Sequence, residues 1–311
     1  MGRATLRAPE ELMRSCLPLL LLALAVVPAA VTAQEPVLEE LREPPGTTEP
    51  PPPLPELDLG FMPRGKLFTP LIADPRWPHF SAAYHYYLED PDFKNLASVS
   101  FGETFAVYRS RAGESWWDVG LQAGVFAVFD LDASSFDLIN SDYFVAATAA
   151  YRYRDFSALA RIFHQSSHLG DEFLLRQTHP ERVNFSYDGV DMKVSYEFLK
   201  QALRLYAGGG YLFNRTPDTL DPWFTQGGLE IRSPWPGPAH GWRPIAAVDI
   251  QNREENGWAT DISVRAGLEF SGVLAPRNLQ ILIEYFTGHS PNGQFYRETV
   301  DYVGLGLHFH F

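Results

Sequence analysis

Cysteine is all but missing from this sequence: the single copy among 311 residues is Cys16. It lies in a leader-like stretch, so the chain beyond it has no thiol chemistry and no disulfide. Positive charge is also scarce. Lys and Arg total 25 against 38 Asp and Glu, a formal net charge of −13. Nucleic-acid binding, which needs clustered cations, is excluded as a function. Beyond residue 33 no run reaches the roughly 18 apolar residues of a membrane helix. That excludes a helical membrane protein and leaves membrane-spanning strands, whose individual signals are weak. Aromatic side chains, by contrast, are plentiful at 14%.

Residues 1–33 read as a secretory signal peptide. Arg3, Arg7 and Arg14 supply positive charge, and Leu17–Val27 is apolar apart from Pro18. Val31-Thr32-Ala33 then offers a small-residue cleavage site before Gln34. Cys16 precedes the apolar run, the wrong side for lipid attachment. Losing this segment removes three arginines and two glutamates and moves the net charge from −13 to −14. Residues 34–58 hold Pro36, Pro44, Pro45, Pro50, Pro51, Pro52, Pro53 and Pro55 among several glutamates. Such a composition cannot build a core and favours an extended periplasmic linker. Residues 59–311 remain to form the folded domain.

From about Pro78 onward, period-two patterns follow one another with no helix signal of comparable strength. In the clearest, Trp117, Val119, Leu121, Ala123, Val125, Ala127 and Phe129 alternate with Asp118, Gly120, Gln122 and Gly124. Similar alternation runs over 143–153, 203–211, 262–270 and 279–285. Weaker strands are expected at 79–88, 96–109, 156–167, 183–198, 225–232, 243–252 and 300–311. Within 183–198 the apolar phase slips at Gly189, from Val183, Phe185 and Tyr187 to Val190, Met192 and Val194, which predicts a β-bulge. The total is about twelve strands, the even number of bacterial single-chain barrels. Joins at 110–115, 154–156, 199–202, 233–242 and 271–277 fall at one end. Longer loops at 89–95, 130–142, 168–182, 214–224, 253–257 and 288–298 fall at the other. Trp116, Trp117, Tyr143, Tyr153, Trp223, Trp242, Trp258 and Phe311 are placed to form interfacial girdles.

The last ten residues alternate most plainly. Val303, Leu305, Leu307, Phe309 and Phe311 take one face; Tyr302, Gly304, Gly306, His308 and His310 take the other. A final strand of this kind ending in Phe resembles the carboxy-terminal signal of bacterial outer-membrane β-barrels, which implies the barrel-assembly machinery as a partner. A broader likeness is carried by Leu71-Ile72-Ala73-Asp74-Pro75-Arg76, Val125-Phe126-Ala127-Val128-Phe129-Asp130-Leu131, Phe136-Asp137-Leu138-Ile139-Asn140, His164–Phe173 and His289-Ser290-Pro291-Asn292-Gly293-Gln294-Phe295. These stretches resemble the domain-of-unknown-function family 1207 of bacterial outer-membrane proteins. The resemblance implies a barrel and names no activity.

Polar groups that could do chemistry gather at the loop end. On a strand His164 and Ser166 share a face, about 7 Å apart along the chain, a separation an imidazole and a hydroxyl can bridge. Arg161 belongs to the other face, and because charge facing lipid is costly it should point inward, with His164 and Ser166 outward. A His-x-Ser pair on the lipid face of a strand resembles outer-membrane phospholipase A, which implies a lipid acyl hydrolase with Ser166 as nucleophile and His164 as base. That family continues with Asn-Gly; here Ser167-His168 follows, and Asn-Gly stands at Asn292-Gly293. Asp171 or Asn184 could orient His164. Asp137, Asn140, Glu172, His289 and Asn292 are candidate binding residues of the outer rim. Alternatively, His164, Ser166, Asp171 and Glu172 form a polar network that folds the loop onto the rim. His164 and His168 would lie about 13 Å apart on a strand, too far to share a metal, and His308 and His310 read as lumen-packing groups. No cofactor is expected, with calcium entering only for the hydrolase.

The expectation is an all-β, antiparallel transmembrane barrel, integral to the outer membrane of a Gram-negative-type bacterium. Its expected role is structural, or the binding of outer-membrane lipid, lipopolysaccharide or a partner through the outer loops. The alternatives are the lipid acyl hydrolase and a narrow diffusion pore, where plugging of the lumen decides.

Overall fold

The strands observed are β1 (Gly60–Phe61), β2 (Phe80–Tyr87), β3 (Asn95–Ala112), β4 (Ser115–Asp130), β5 (Leu138–Tyr153), β6 (Phe156–Leu169), β7 (Phe185–Phe198), β8 (Leu203–Thr216), β9 (Trp223–Arg232), β10 (Trp242–Arg253), β11 (Thr260–Leu274), β12 (Arg277–His289) and β13 (Thr299–His310). The computed structural model describes residues 57–311 except 91, 177–183, 237–239, 275–276 and 311. The expected signal peptide, nearly all of the proline-rich segment and Phe311 lie outside the described residues. Strands β2 to β13 pair antiparallel with their chain neighbours, and β13 pairs with β2 from Tyr302↔Tyr87 to Phe309↔Phe80. The sheet is thereby a closed twelve-stranded antiparallel barrel with no edge left over among these pairings. β1 is an extra pair of residues beside the lower part of β3.

Alternation sets the two faces. On β4, Trp117, Val119 and Leu121 are exposed, whereas Asp118, Gly120 and Gln122 are buried. On β13, Leu305 and Leu307 face out while Tyr302, Gly306 and His308 face in. Short connections (113–114, 154–155, 199–202) occupy one end, and the 131–137, 170–184, 217–222, 254–259 and 290–298 loops occupy the other. The 170–184 loop contains a short helix, α1 (Asp171–Arg176). Its Phe173 and the loop residue Phe295 pack beside Tyr87, Leu96, Ile139 and Tyr302, closing an apolar cap at the loop end.

The lumen is plugged. After β1 the chain turns into the barrel and crosses it before emerging as β2. Leu67, Phe68, Leu71 and Trp77 pack with Ala150, Leu159 and Tyr206 of the wall, and Ile72 and Ala73 with Ile245, Ala247 and Leu282. Buried polar side chains of the wall hold the backbone of this segment. The Ile72 amide donates to Glu230 Oε1 (2.8 Å), Arg265 Nη1 donates to the Ile72 carbonyl (2.8 Å), and Arg109 donates to the carbonyls of Arg64 and Gly65. Buried charges are paired or hydrogen-bonded, as low-dielectric surroundings require: Arg109 with Asp118, Arg161 and Lys193 with Asp191, Arg204 and Arg232 with Glu230, Arg265 with Glu284, and Asp249 with the neutral donors Tyr206, Gln226 and Gln251. Inward glycines make room for these groups. A Cβ on Gly306 would sit 2.5 Å from His308 Nε2 and 2.8 Å from Glu284 Oε1.

The expected bulge at Gly189 is not there. β7 pairs with β6 without interruption through Phe163↔Gly189. Phe185, Tyr187, Gly189, Asp191 and Lys193 all face inward. The change of pattern marks where an inward aromatic layer gives way to a charged lumen. Gly189 is required by packing, because a Cβ there would lie 2.4 Å from the Phe163 ring. The register shift in this part of the wall lies between β7 and β8, where Asn214 takes a left-handed backbone conformation, φ 49°.

Candidate functional site

β6 carries the site because its two faces differ. Ser157, Leu159, Phe163 and Ser167 are buried toward the lumen, and Ile162, His164 and His168 are exposed. Arg161 points inward, as expected, where it pairs with Asp191 and donates to Gln122 Oε1 (2.8 Å). His164 points outward. Its Nδ1 lies 2.8 Å from Asp188 Oδ1, and Asp188 is its register partner on β7. The other carboxylate oxygen, Asp188 Oδ2, accepts from Asn214 Nδ2 on β8 (2.8 Å). Three adjacent strands thus contribute one outward-facing row, Asn214–Asp188–His164. Ser166 follows His164 by one pleat on the same face, opposite Tyr143 and Ser186.

This row fixes the chemistry available to His164. With Nδ1 bonded to a carboxylate, the neutral ring carries its proton on Nδ1 and leaves Nε2 as the basic nitrogen. That is the arrangement in which a carboxylate orients an imidazole for a neighbouring hydroxyl. The i to i+2 spacing is about 6.6–7 Å between backbone positions, and side-chain rotation closes such a gap as substrate binds. Tyr143 stands beside Ser166 and also meets the His168 ring edge-on, at 5.8 Å between centroids. Nearer the short-turn end, Val145, Ile162, Val190 and Met192 form an exposed apolar floor.

The remaining candidates lie elsewhere. Asp171 and Glu172 open α1, and Asp188, not Asp171 or Asn184, is the hydrogen-bond partner of His164. Asp137 is buried and spent on Arg176 and Ser135. Asn140 is fully buried and accepts from Ser167 Oγ (3.0 Å). His289 binds Asp261 through both its amide and Nδ1. Asn292 donates its amide to Ser290 Oγ, and the Gly293 amide donates to Asp142 (3.1 Å). Gly293 packs against the inward Ser167, so Asn292-Gly293 lies on the inner side of the wall that carries His164 and Ser166 outside. In the same loop, burial, aided by Asp90 and Asp92, raises the Glu298 carboxyl above its usual value. Among the described residues no group of three or more His, Cys, Asp and Glu forms a metal site. Asp188 and Asn214 were the participants that sequence reasoning missed. The available signal was a carboxylate in the outward phase of a strand whose neighbours in that phase are Ser186, Val190 and Met192.

The chain belongs to the family described as protein of unknown function (DUF1207), whose profile matches residues 54–311. Among solved structures it is similar to the Salmonella typhi outer membrane phospholipase, a dimer with bound calcium: TM-score 0.54, 13% identity, 76% of this chain and 94% of that one covered. An active-site mutant of Escherichia coli outer membrane phospholipase A gives TM-score 0.54 at 12% identity, covering 79% and 94%. KdgM porin gives TM-score 0.41 at 9% identity, covering 74% and 99%. At these identities the likeness shows the fold, an outer-membrane type of β-barrel. A search of curated protein sequences finds no match.

Proposed function

We propose that this DUF1207 barrel is a serine hydrolase of the outer membrane that cleaves acyl esters of membrane lipids at its outer surface. The observation that carries the reading is the hydrogen bond between His164 Nδ1 and the Asp188 carboxylate, on the lipid side of the wall, with Ser166 on the same face. A carboxylate–imidazole pair gains nothing structurally by facing lipid, so its placement calls for a use. Two solved structures of the same fold are phospholipases by description. The lumen is filled by the plug, which supports a surface site over a passage.

In the reaction, Ser166 Oγ attacks the ester carbonyl carbon while His164 Nε2 takes the hydroxyl proton. The tetrahedral intermediate collapses, the C–O bond to the glycerol or sugar oxygen breaks, and the imidazolium returns the proton to that oxygen. Water, deprotonated by the same nitrogen, then attacks the acyl carbon; the bond to Ser166 Oγ breaks, the imidazolium returns its proton to Oγ, and the acyl group leaves as a fatty acid. Asp188 holds the tautomer and stabilises the imidazolium, and Asn214 holds Asp188. The floor of Val145, Ile162, Val190 and Met192 suits the acyl chain, and Tyr143, an aromatic residue of the kind found at headgroup level, stands beside Ser166. The residues present do not by themselves build a calcium site, because the carboxylate at hand, Asp188, is divided between His164 and Asn214. No step depends on calcium.

The test is fatty-acid release from phospholipid and from lipopolysaccharide by the refolded chain, read by mass spectrometry, with calcium present and absent. Ser166→Ala and Asp188→Asn run beside the wild type. Release that disappears in Ser166→Ala and falls by about 10⁴ in Asp188→Asn is the expected result. No release from folded protein leaves a lipid-binding or structural barrel.

A further inference from the structure

Behind the wall that carries His164 and Ser166 lies a second feature, independent of that reading. Gln165, the inward residue between them, lines a cavity of about 70 Å³ at the loop end of the lumen. At about 10–15 Å³ per water, that is room for about five to seven waters. Its floor is Pro75 and Arg76 of the plug, and its lining climbs to Glu255, Asn256 and Tyr296 in the loops. The cavity thus runs from the plug to the loop end.

Its chemistry is selective. Tyr187, Phe286 and Tyr296 present aromatic surface. Asp261, Ser263 and His289 present polar groups, and these are incompletely used. Asp261 spends Oδ1 on the His289 amide and Nδ1. Among the described residues, Asp261 Oδ2, His289 Nε2 and the Ser263 hydroxyl make no hydrogen bond. The charges lining the cavity do not favour an anion: Arg76 is engaged by Asp142 and Glu255 by Arg297, which leaves Arg253 against Asp221, Asp249 and Asp261. The polar side chains among the rings make a poor seat for an acyl chain, whose burial would strip them of water. Aromatic surface with closely set donors and acceptors, and no excess positive charge, suits a neutral polyhydroxylated ring. Its C–H faces would pack on the aromatic groups, and its hydroxyls would replace the waters.

We propose that this cavity binds one uncharged monosaccharide unit, entering from the loop end, either as a free sugar or as the exposed sugar of a glycolipid.

The experiment titrates the refolded full chain with glucose, galactose and N-acetylglucosamine. It uses a detergent that carries no sugar, with saturation-transfer NMR and calorimetry as readouts. A parallel arm uses micelles of a neutral glycolipid. Ser263→Leu fills the cavity, and His289→Gln alters one donor without filling it. Binding of at least one sugar, weakened about tenfold or more by Ser263→Leu and to a lesser degree by His289→Gln, is expected. Binding in both arms assigns a free-sugar site, and binding in the glycolipid arm alone assigns a lipid-borne sugar; either supports the proposal. No binding in either arm, or binding that neither folded variant changes, overturns it. If Ser263→Leu does not fold, His289→Gln decides alone.

Discussion

Glu230 is the residue on which the plug and the wall depend together, and its removal is the sharpest test of the fold. Its carboxylate is fully buried on β9. It receives Arg204 Nη1 at 3.2 Å, Arg232 Nη1 at 2.8 Å and the Ile72 amide of the plug at 2.8 Å. Arg204 in turn lies over the Phe68 ring of the plug, 4.7 Å from its centroid. Removing one partner of a buried pair leaves an uncompensated charge, at a cost of about 3–5 kcal/mol. Glu230→Ala strands two arginines and also orphans the Ile72 amide, a further cost of about 1–3 kcal/mol that is not fully additive. Glu230→Gln removes the charge but keeps an acceptor for Ile72, so the difference between the two variants isolates the tie to the plug. Stability is read by urea unfolding of the refolded protein in detergent, and release of the plug by proteolysis within residues 64–76. The expected order is wild type, then Gln, then Ala, with Ala at least about 3 kcal/mol below wild type. An Ala variant within about 1 kcal/mol of wild type, with an uncut plug, would refute the claim that this cluster anchors the segment.

Four further outcomes follow from the same structure. Replacing residues 66–77 with a glycine–serine linker of equal length should convert a barrel that is silent in a planar bilayer into one with resolvable single-channel conductance. Gly189→Val should destabilise by about 1–3 kcal/mol through overpacking against Phe163, and Phe163→Leu in the same chain should recover part of the loss. The Glu298 carboxyl is raised in the folded protein by burial, then by Asp90 and Asp92. Its contribution is therefore fully present below the ordinary value of 4.5 and lost as pH rises through the higher folded value. Hydrogen exchange at the Ser290 amide, which donates to the Glu298 carbonyl, should show less protection at pH 7 than at pH 4.5, beyond the intrinsic change in exchange rate, and Glu298→Gln should flatten that difference. Finally, replacing both His164 and Asp188 with Leu should change stability by less than about 1 kcal/mol, the cost range for interfacial charge, while abolishing any acyl release. A large loss of stability would mark the pair as structural.

Strands and their ends were legible because a barrel wall imposes one rule on every residue, lipid on one side and lumen on the other. The run from Trp117 to Gly124 obeys it without exception. Where the lumen itself is apolar the rule loses its contrast. Phe185 and Tyr187 face inward onto an aromatic layer with Phe163, Leu212 and Leu220, so hydrophobicity alone assigned them to the lipid and produced a bulge at Gly189 that does not exist. That error had a second consequence. With the phase inverted above Gly189, Asp188 belonged to the inside of the barrel, and its contact with His164 could not be foreseen. The plug escaped notice for a different reason: Leu67, Phe68, Leu71 and Ile72 recur at spacings of three and four, but Pro70 and Pro75 interrupt the run, and a segment enclosed on all sides needs no single face. Leu71–Arg76 was visible only as part of a family likeness. Its physical meaning comes from residues more than 60 positions away in sequence: Glu230 accepts its backbone amide, Arg265 donates to its carbonyl and Asp142 accepts its guanidinium. The outward pair His164–Asp188 and the inward clusters are therefore two answers to the same cost of charge in a membrane. Inside, Arg109, Glu230 and Arg265 are matched by opposite charges and tied to the plug backbone; outside, a pair stands beside a serine at the loop end, where the proposed hydrolysis gives it a use.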